Sequence, residues 1–424
     1  MKVRIVALFA ACLIGLSIFS WAAGSNAVFN GPIGLRSLGL LFASAGTVLV
    51  FLQFLFSSRL KIIESGFGLD RMFHWHRFFG RFGLGLLFLH FLFIALYRIL
   101  VFGELLLNPF ILVGILALAG LTVTAGLAST YKRLGIAYEI WRNIHLLNYF
   151  LFPFLLIHVF YHTVVGSLLY YLWLFLTLFF IILGGYRITR IVAIRKKPYE
   201  VVDLKQEADD IWSLYFSGEK IDFKPGQFMF IQLMRSGRIS SPHPFTISNS
   251  PTREKLSITP KELGDFTLTI KDTRPGDLAF IDAPYGVFTF LHDADNLELV
   301  FIAGGIGITP FISMLRYMYD LGLERKVVLF WSVREEKNLC FLDELAEMQE
   351  KMPGFSYYPV LSTAADHSGM SGRLTGEMIC NKLDGLQGKS FYICGLPGLT
   401  RAMIADLKSL GVHASMIKSE LFQL

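Results

Sequence analysis

Six long apolar segments constrain this chain more than any other feature, because each is long enough to cross a bilayer as a helix. A mean hydropathy of +0.53 and 54% hydrophobic residues are too high for an ordinary soluble protein of 424 residues. We therefore predict a multidomain membrane protein that begins with a six-helix transmembrane bundle. The segments lie near residues 3–23, 35–57, 78–100, 109–129, 142–164 and 167–190.

Basic residues flank these segments on one side of the predicted bundle. The positive-inside rule then places both ends of the bundle in the cytoplasm, so the chain is expected to be a multi-pass protein of the cell (inner or plasma) membrane. The net charge of +6 is explained by these flanks and does not indicate nucleic-acid binding. The flanking residues are Lys2, Arg4, Arg59, Lys61, Arg71, Arg77, Arg81, Lys132, Arg133, Arg142, Arg187, Arg190, Arg195, Lys196 and Lys197.

Four histidines lie inside the apolar segments as two spaced pairs, and a polar ring is costly in a bilayer unless it has a role. His76 and His90 are 14 residues apart. On a helix, this spacing leaves an angle of about 40° between the two side chains around the axis and a distance of about 21 Å along it. This pattern indicates one metal ligand near each membrane face, as in a transmembrane stack of two haems. The alternative is four histidines that only hydrogen-bond between helices.

The second pair, His145 and His158, is 13 residues apart and would be roughly 140° out of phase on a straight helix. Pro153 lies between them, and we predict that a kink at this proline restores the facing. Because the third and fifth spans both run outward, the topology pairs His76 with His145 and His90 with His158. The spacing thus predicts two b-type haems, each with two histidine ligands.

The chain after residue 197 changes to short alternating strands and then to a strand, glycine loop, helix and strand. We expect three domains: a haem-binding bundle over residues 1–197, an antiparallel β-barrel over 198–296 and a parallel α/β domain over 297–424. Gly-rich turns are common in α/β folds for backbone reasons alone, so the loop by itself is weak support for nucleotide binding. The four cysteines form no cluster, which argues against an iron–sulfur or zinc site.

Five motifs follow one another in the second half of the chain. In this order, and together with the histidine spacings, they resemble the ferredoxin-NADP reductase fold attached to a ferric-reductase-like transmembrane domain. The whole chain is similar to the bacterial NADPH oxidases and the related ferric reductases. The motifs are His243-Pro244-Phe245-Thr246-Ile247-Ser248, Lys261-Glu262-Leu263-Gly264-Asp265-Phe266-Thr267, Gly304-Gly305-Ile306-Gly307-Ile308-Thr309-Pro310, Cys394-Gly395-Leu396-Pro397-Gly398 and Glu420-Leu421-Phe422.

The resemblance implies a role for each motif. Phe245 would pack along the flavin of FAD, and Thr246 would offer its hydroxyl to the reactive edge. His243 and Lys261 would meet the FAD phosphates, with Pro244, Gly264, Asp265 and Thr267 completing the FAD site. The alternative for each aromatic or basic residue is an ordinary core or surface position.

The resemblance also implies an NAD(P)H site. The loop residues Gly304, Gly305, Gly307, Thr309 and Pro310 would hold the dinucleotide. Cys394 and Gly395 would border the nicotinamide, and Glu420 with Phe422 would form the terminal motif whose ring covers the flavin. Ser362-Thr363 replaces the Ser-Arg of NADPH-selective relatives, which leaves Arg334 and Arg373 as the cations for a 2′-phosphate and predicts modest selectivity.

These parts together predict an NAD(P)H oxidase that moves electrons from cytoplasmic NAD(P)H through FAD and two haems to O2 and produces superoxide. The alternatives are a reductase of ferric or other extracellular acceptors, and an electron donor to a periplasmic partner protein. Arg36 is the predicted cation at the outer haem and its acceptor, while Arg77, Arg81 or Arg142 would serve the inner haem. His162 is expected near the outer haem, either to help position oxygen or superoxide or, as the favoured alternative, as an interfacial histidine, and no obligatory activating protein is expected.

Overall fold

The computed structural model describes residues 2–25, 31–105, 107–363 and 370–421, which form two compact units, Met1–Ile191 and Val192–Leu424. The first unit is helical. Its helices are α1 (Lys2–Ser25), α2 (Gly31–Ser57), α3 (Lys61–Phe67), α4 (Leu69–Phe102), α5 (Pro109–Thr130), α6 (Tyr138–Leu146), α7 (Asn148–Tyr161) and α8 (Leu168–Arg195).

Five stretches of this unit are long and apolar enough to cross a membrane. They correspond to α2, α4, α5, α6 with α7, and α8, and so to five of the six predicted spans. In the described part of α1 the apolar stretch is Ala11–Ala22, which is shorter than a bilayer requires. The sixth span therefore stays a prediction.

Local sequence explains where the long helices begin and end. The Asn108 side chain accepts a hydrogen bond of 2.9 Å from the Ile111 N–H and caps α5, and Pro109 occupies the first turn, where no N–H is needed. Gly103 ends α4 in the left-handed conformation at φ 74°. Small residues at the buried face of α2, among them Gly39, Ser44 and Gly46, allow it to pack closely against α4.

The second unit begins with an antiparallel sheet in the order β4-β3-β7-β1-β2-β6, with β5 paired to β3. Apolar side chains on one face of these strands form a buried core. The sheet is antiparallel, as predicted. Its closure into a barrel stays a prediction. The strands are β1 (Tyr199–Ala208), β2 (Ile211–Ser217), β3 (Phe228–Arg235), β4 (Arg238–Ile239), β5 (His243–Thr246), β6 (Leu256–Ile258) and β7 (Leu278–Tyr285), and the short helix α9 (Asp265–Leu268) lies between β6 and β7.

A parallel sheet in the order β11-β10-β9-β8-β12-β13 completes the unit, as the strand–loop–helix–strand pattern predicts. Its strands β8 and β12 are almost entirely buried, as expected for a sheet covered on both faces. The elements are β8 (Glu298–Gly304), α10 (Thr309–Leu321), β9 (Val327–Val333), α11 (Leu342–Lys351), β10 (Phe355–Leu361), β11 (Met370–Ser371), α12 (Gly376–Cys380), β12 (Lys389–Gly395), α13 (Pro397–Ser409) and β13 (Ile417–Leu421).

Candidate functional site

The four membrane histidines meet as the two pairs that the topology predicts. The ring centroids of His76 on α4 and His145 on α6 are 6.0 Å apart, with an angle of 68° between the rings. Those of His90 on α4 and His158 on α7 are 6.3 Å apart at 67°. These two contacts define an inner pair and an outer pair.

Both separations fit a metal ion held between the rings. Two imidazoles that bind one metal from opposite sides, with metal–nitrogen bonds of about 2.0–2.1 Å, have centroids roughly 6 Å apart. No group of three or more His, Cys, Asp or Glu side chains that could hold a metal occurs among the described residues. Each pair offers two imidazoles, the number of histidine ligands that a haem iron can take.

Hydrogen bonds fix the ring orientation in the outer pair. His90 Nδ1 lies 2.9 Å from the Gly39 carbonyl oxygen, and His158 Nδ1 lies 2.8 Å from the Phe110 carbonyl oxygen. A carbonyl oxygen only accepts, so each Nδ1 must carry the proton and donate it. This leaves each Nε2 with a lone pair for a metal, the arrangement that an outer hydrogen-bond partner usually gives a histidine ligand.

The inner pair has the same layout. The backbone groups beside its rings are those of Gln53 on His76 and Thr124 on His145, each 14 residues beyond its outer counterpart. Neither of these backbone contacts meets full hydrogen-bond geometry in the described structure, in contrast to those of the outer pair. Helices α2 and α5 thus repeat the 14-residue period of α4.

Gly114 makes room for the outer pair. A Cβ atom at this position on α5 would lie 2.5 Å from His158 Nδ1 and 2.8 Å from its Cγ, closer than real contacts allow. Only glycine lets the His158 ring pack against α5 in its observed place.

The predicted kink at Pro153 stays a prediction. The helix that carries the second histidine pair is interrupted at Leu147, between α6 and α7, and Pro153 lies inside α7. Leu147 itself has φ −59° and ψ −18°, and the rings of His145 and His158 nevertheless meet those of His76 and His90. A turn at one ordinary leucine has no sequence signal that we recognised.

The predicted cations lie at different places around the pairs. Arg36 is exposed on α2, one turn before Gly39, whose carbonyl group contacts the outer pair. Arg77 and Arg81 line an open groove on α4. The His162 ring lies 4.8 Å from the His158 ring, measured between centroids, so its predicted position beside the outer pair is confirmed.

The two FAD motifs come together in the antiparallel sheet. Strand β5 pairs His243–Thr246 with β3, and the His243 ring stacks on Phe266 at 3.9 Å and 12°. Gly264 and Asp265 are exposed in the turn that holds Phe266, and the Thr267 hydroxyl accepts hydrogen bonds from the N–H groups of Leu263 and Gly264 at 2.9 Å. The turn and the imidazole thus form one polar surface suited to a phosphate.

Thr246, on the antiparallel sheet, has a side chain suited to hydrogen-bond a bound cofactor. Its side chain is buried, and its hydroxyl has no hydrogen-bond partner among the described residues. A buried hydroxyl is rarely left unpaired in a protein. The neighbouring Phe245 ring is half-buried, so an aromatic face and a hydroxyl are available together, as a flavin ring requires.

Lys261 lies close to the part of the second unit that contains the parallel sheet. Its Nζ is 3.1 Å from Asp210 Oδ2, and its backbone forms an antiparallel bridge with Ile211, which belongs to the core beneath the parallel sheet. This position suits a phosphate bound between the antiparallel-sheet part and the parallel-sheet part of this unit. The predicted contact with the FAD phosphates stays a prediction.

The glycine loop is a 3₁₀ turn, Gly305–Ile308, between β8 and α10. A Cβ atom at Gly307 would overlap the Cys394 carbonyl group and lie 2.9 Å from Gly395 Cα, so the loop packs directly on the end of β12. Gly305 has φ +54°, with open space beside it. The Thr309 hydroxyl is engaged within the loop, donating to the Ile306 carbonyl oxygen at 3.1 Å, and Pro310 occupies the first turn of α10.

Cys394 and Glu420 lie side by side on paired strands β12 and β13. Burial raises the pKa of the Cys394 thiol well above its ordinary value, and the Glu420 carboxylate adds to this. The thiol is therefore neutral at physiological pH and cannot act as a thiolate nucleophile. Phe422, Gln423 and Leu424 lie outside the described residues, so the proposed ring over the flavin stays a prediction.

The predicted 2′-phosphate cations lie at the carboxyl edge of the parallel sheet. Arg334 follows β9 and Arg373 follows β11, and both side chains are exposed. The Thr363 hydroxyl donates to the Arg334 carbonyl oxygen at 2.5 Å, which places Arg334 next to the Ser362-Thr363 segment. Their contact with a nucleotide stays a prediction.

Sequence reasoning missed Trp141, the residue that stacks on the inner pair. Its ring contacts His145 at 5.7 Å and 30°. The missed signal was its position four residues, or one helical turn, before a predicted ligand. The backbone acceptors at Gly39 and Phe110 were missed as well, because carbonyl groups leave no mark in a sequence.

Comparison with known proteins gives three domain matches. Residues 42–156 match the ferric reductase like transmembrane component, residues 196–276 an FAD-binding domain, and residues 301–404 the oxidoreductase NAD-binding domain. The first match includes His76, His90 and His145 and ends two residues before His158.

Individual relatives resemble about half of the chain. The sulfhydrogenase 2 subunit gamma of Pyrococcus furiosus is 25% identical over 240 residues, which cover 53% of this chain and 82% of that protein. The propane 2-monooxygenase reductase component of Gordonia sp. (strain TY-5) is 29% identical over 239 residues, 53% of this chain and 65% of the relative. The crystal structure of a flavohemoglobin from Malassezia yamatoensis with bound FAD and heme has a TM-score of 0.51 at 19% identity, covers 92% of this chain and 97% of that one, and indicates likeness of fold alone.

The domain matches follow the order of the structural elements. The ferric reductase like match lies in the helical unit, the FAD-binding match begins at the end of α8 and takes in β1 to β6, and the NAD-binding match runs through the parallel sheet. The chain is an NAD(P)H oxidoreductase with the domain architecture of the NADPH oxidases and ferric reductases, a ferric-reductase-like transmembrane component followed by FAD-binding and NAD-binding domains.

Proposed function

We propose that this protein is a transmembrane NAD(P)H oxidase that carries electrons through FAD and two b-type haems to O2 and releases superoxide on the outer side of the cell membrane. The observation that carries the proposal is the meeting of four membrane histidines as two pairs at 6.0 and 6.3 Å between ring centroids. These pairs occur in one chain with an FAD-binding domain and an NAD-binding domain.

The residues divide the work as follows. His76 with His145 would hold the inner haem, and His90 with His158 the outer one. Thr246 and Phe245 would bind the flavin ring, beside the phosphate surface of His243 and the turn at Gly264. When bound, FAD accepts two electrons from NAD(P)H as a hydride and passes them on singly, and haem iron carries one electron at a time.

The nicotinamide side depends on shape more than on charge. The open space beside Gly305 would admit the dinucleotide pyrophosphate at the end of β8. The neutral Cys394 thiol would lie against the nicotinamide without competing for its hydride. Arg334 and Arg373 would meet a 2′-phosphate, and because no third cation is supplied by Thr363, we expect NADH to be used as well as NADPH.

The outer pair decides the product. His90 and His158 would together hold the outer haem, and with two protein ligands to its iron O2 would accept one electron without binding the metal. One-electron reduction of O2 gives superoxide. The His162 ring lies beside this pair, and Arg36 lies one helical turn before Gly39 on α2. Both residues would face the acceptor.

The test is oxygen consumption by the purified protein with NADPH and added FAD, measured with and without superoxide dismutase. We expect two haems per chain, oxygen uptake without any added protein, and a dismutase-sensitive reporter signal. One haem per chain, or reduced haems that are not reoxidised by oxygen, would contradict the proposal.

A second candidate is a reductase of ferric chelates or other outer acceptors, favoured by the match of residues 42–156 to the ferric reductase like component. The same preparation distinguishes the two. Reoxidation of the haems by a ferric chelate under anaerobic conditions, with slow reoxidation by oxygen, would favour the metal reductase.

A further inference from the structure

The Trp141 side chain carries an unexplained polar group beside the inner histidine pair. Its indole Nε1 is buried and has no hydrogen-bond partner among the described residues. An indole N–H only donates, so the missing partner must be an acceptor. A buried donor without an acceptor is destabilising and uncommon in native proteins.

The indole ring is held firmly in its place. Tyr131 stacks on it at 4.6 Å and 12°, and Tyr138 contacts it at 5.4 Å and 49°. On the other side it lies 5.7 Å from the His145 ring at 30°, measured between centroids. The ring therefore links the end of α5 to a histidine of the inner pair.

The Trp141 indole is the donor at the inner pair that still needs an acceptor. Each of the four histidine rings has a backbone group of a neighbouring helix beside it, Gln53 and Thr124 at the inner pair and Gly39 and Phe110 at the outer pair. Trp141 Nε1 has no such partner among the residues described. A haem carries two carboxylates on one edge, and these are acceptors.

Basic residues near this point favour an anion. Arg77 follows His76 on α4, and Arg142 follows Trp141 on α6. A carboxylate here would have a donor from the indole and positive charge nearby.

We propose that Trp141 is a positioning residue for the inner haem, with its indole N–H donating to a haem carboxylate and its ring packing against His145. This inference rests on the proposed function, because it requires a haem between His76 and His145. It adds a specific donor to that site, which the histidine ligands alone do not provide.

The experiment measures the reduction potential of the inner haem in the full-length protein. A His158→Ala background removes the outer haem and leaves one haem to titrate. Trp141→Phe in this background retains a ring and removes the N–H, so the carboxylate charge is less compensated and favours ferric iron. We expect the Trp141→Phe variant to have a lower reduction potential at alkaline pH. The pH at which its potential begins to change should be higher, because the carboxylate keeps its proton to a higher pH without the indole donor.

Trp173→Phe is the matched control, since Trp173 on α8 is also buried with an Nε1 that has no partner among the described residues, and its ring contacts no histidine ring there. It should leave both the potential and its pH dependence unchanged. An unchanged potential in Trp141→Phe, or equal shifts in the two variants, would overturn the inference. A His158→Ala protein without any haem would instead contradict the two-haem proposal itself.

A second measurement covers the case in which Trp141→Phe does not fold. The wild-type apoprotein is reconstituted with haem or with haem dimethyl ester, which lacks the anionic carboxylates. We expect the ester to bind the inner site more weakly, and Trp141→Phe, where it folds, to have no effect on the potential of the ester. Equal binding of the two haems at the inner site would overturn the inference.

Discussion

At the scale of single residues, glycine is as important to the outer site as histidine. A Cβ atom at Gly114 would lie 2.5 Å from His158 Nδ1, so Gly114→Ala must displace either the ring or α5. Overpacking of this kind costs about 1–3 kcal/mol, and here the strain falls on a metal ligand. We expect Gly114→Ala to lose the outer haem and keep the inner one, as measured by the ratio of haem to protein.

Gly126→Ala is the control for this change, because it lies on the same helix and a Cβ atom there meets nothing within 4 Å. It should retain two haems. Two haems with unaltered potentials in Gly114→Ala would show that the His158 ring has more room than the structure gives it.

Thr246 makes the second prediction at this scale. Its buried hydroxyl has no partner among the described residues, and we expect it to hydrogen-bond to the flavin. Thr246→Val keeps the shape and removes the hydroxyl. With a hydrogen bond contributing about 0.5–1.5 kcal/mol, flavin reduction by NADPH should slow by about two- to tenfold while FAD stays bound.

Stopped-flow absorbance of the flavin measures this rate. Thr400→Val provides a comparison, since Thr400 is another buried threonine of the same unit whose hydroxyl is unpaired in the described structure. An equal effect of both substitutions would mean that Thr246 acts through packing and not through its hydroxyl.

At the scale of elements, we expect the turn between α6 and α7 to set the register of the second pair of histidines. The interruption at Leu147 separates His145 from His158, and Pro153 lies within α7. We therefore expect Pro153→Ala to retain both haems, as judged by haem content and by two potentials in a redox titration. Loss of the outer haem in this variant would mean that a kink at Pro153 aligns His158 with His90, as the sequence predicts.

Insertion of one alanine between Leu147 and Asn148 gives the opposite test. One extra residue turns the following helix by about 100°, so His158 would leave the outer pair. We expect this insertion to remove the outer haem and to leave the inner histidine pair intact.

At the scale of the whole molecule, the proposal predicts that hydride transfer and outer electron transfer can be separated. The hydride-transfer residues lie in the unit Val192–Leu424 and the histidine pairs in Met1–Ile191. His158→Ala should therefore reduce its flavin with NADPH at a rate close to that of the wild type and produce little superoxide. Superoxide at the wild-type rate would mean that electrons reach oxygen from the flavin or the inner site.

Much of this molecule could be predicted from the sequence, because its strongest signals are periodic. Apolar segments of bilayer length, a 14-residue histidine spacing and an ordered set of short motifs each depend on local repetition that chain geometry turns directly into helices, faces and turns. The span order alone paired His76 with His145 and His90 with His158, and the structure confirms both contacts.

Other features depended on contacts between distant parts of the chain. The acceptor for His90 is a carbonyl group 51 residues away, and the space for His158 comes from a glycine on another helix. The position of the helix break and the unpaired Nε1 of Trp141 likewise follow from packing. Sequence by itself determined which residues have the chemistry to bind metals and cofactors, whereas only the tertiary structure decided how each ring is oriented, because orientation depends on neighbours that the chain brings together by folding.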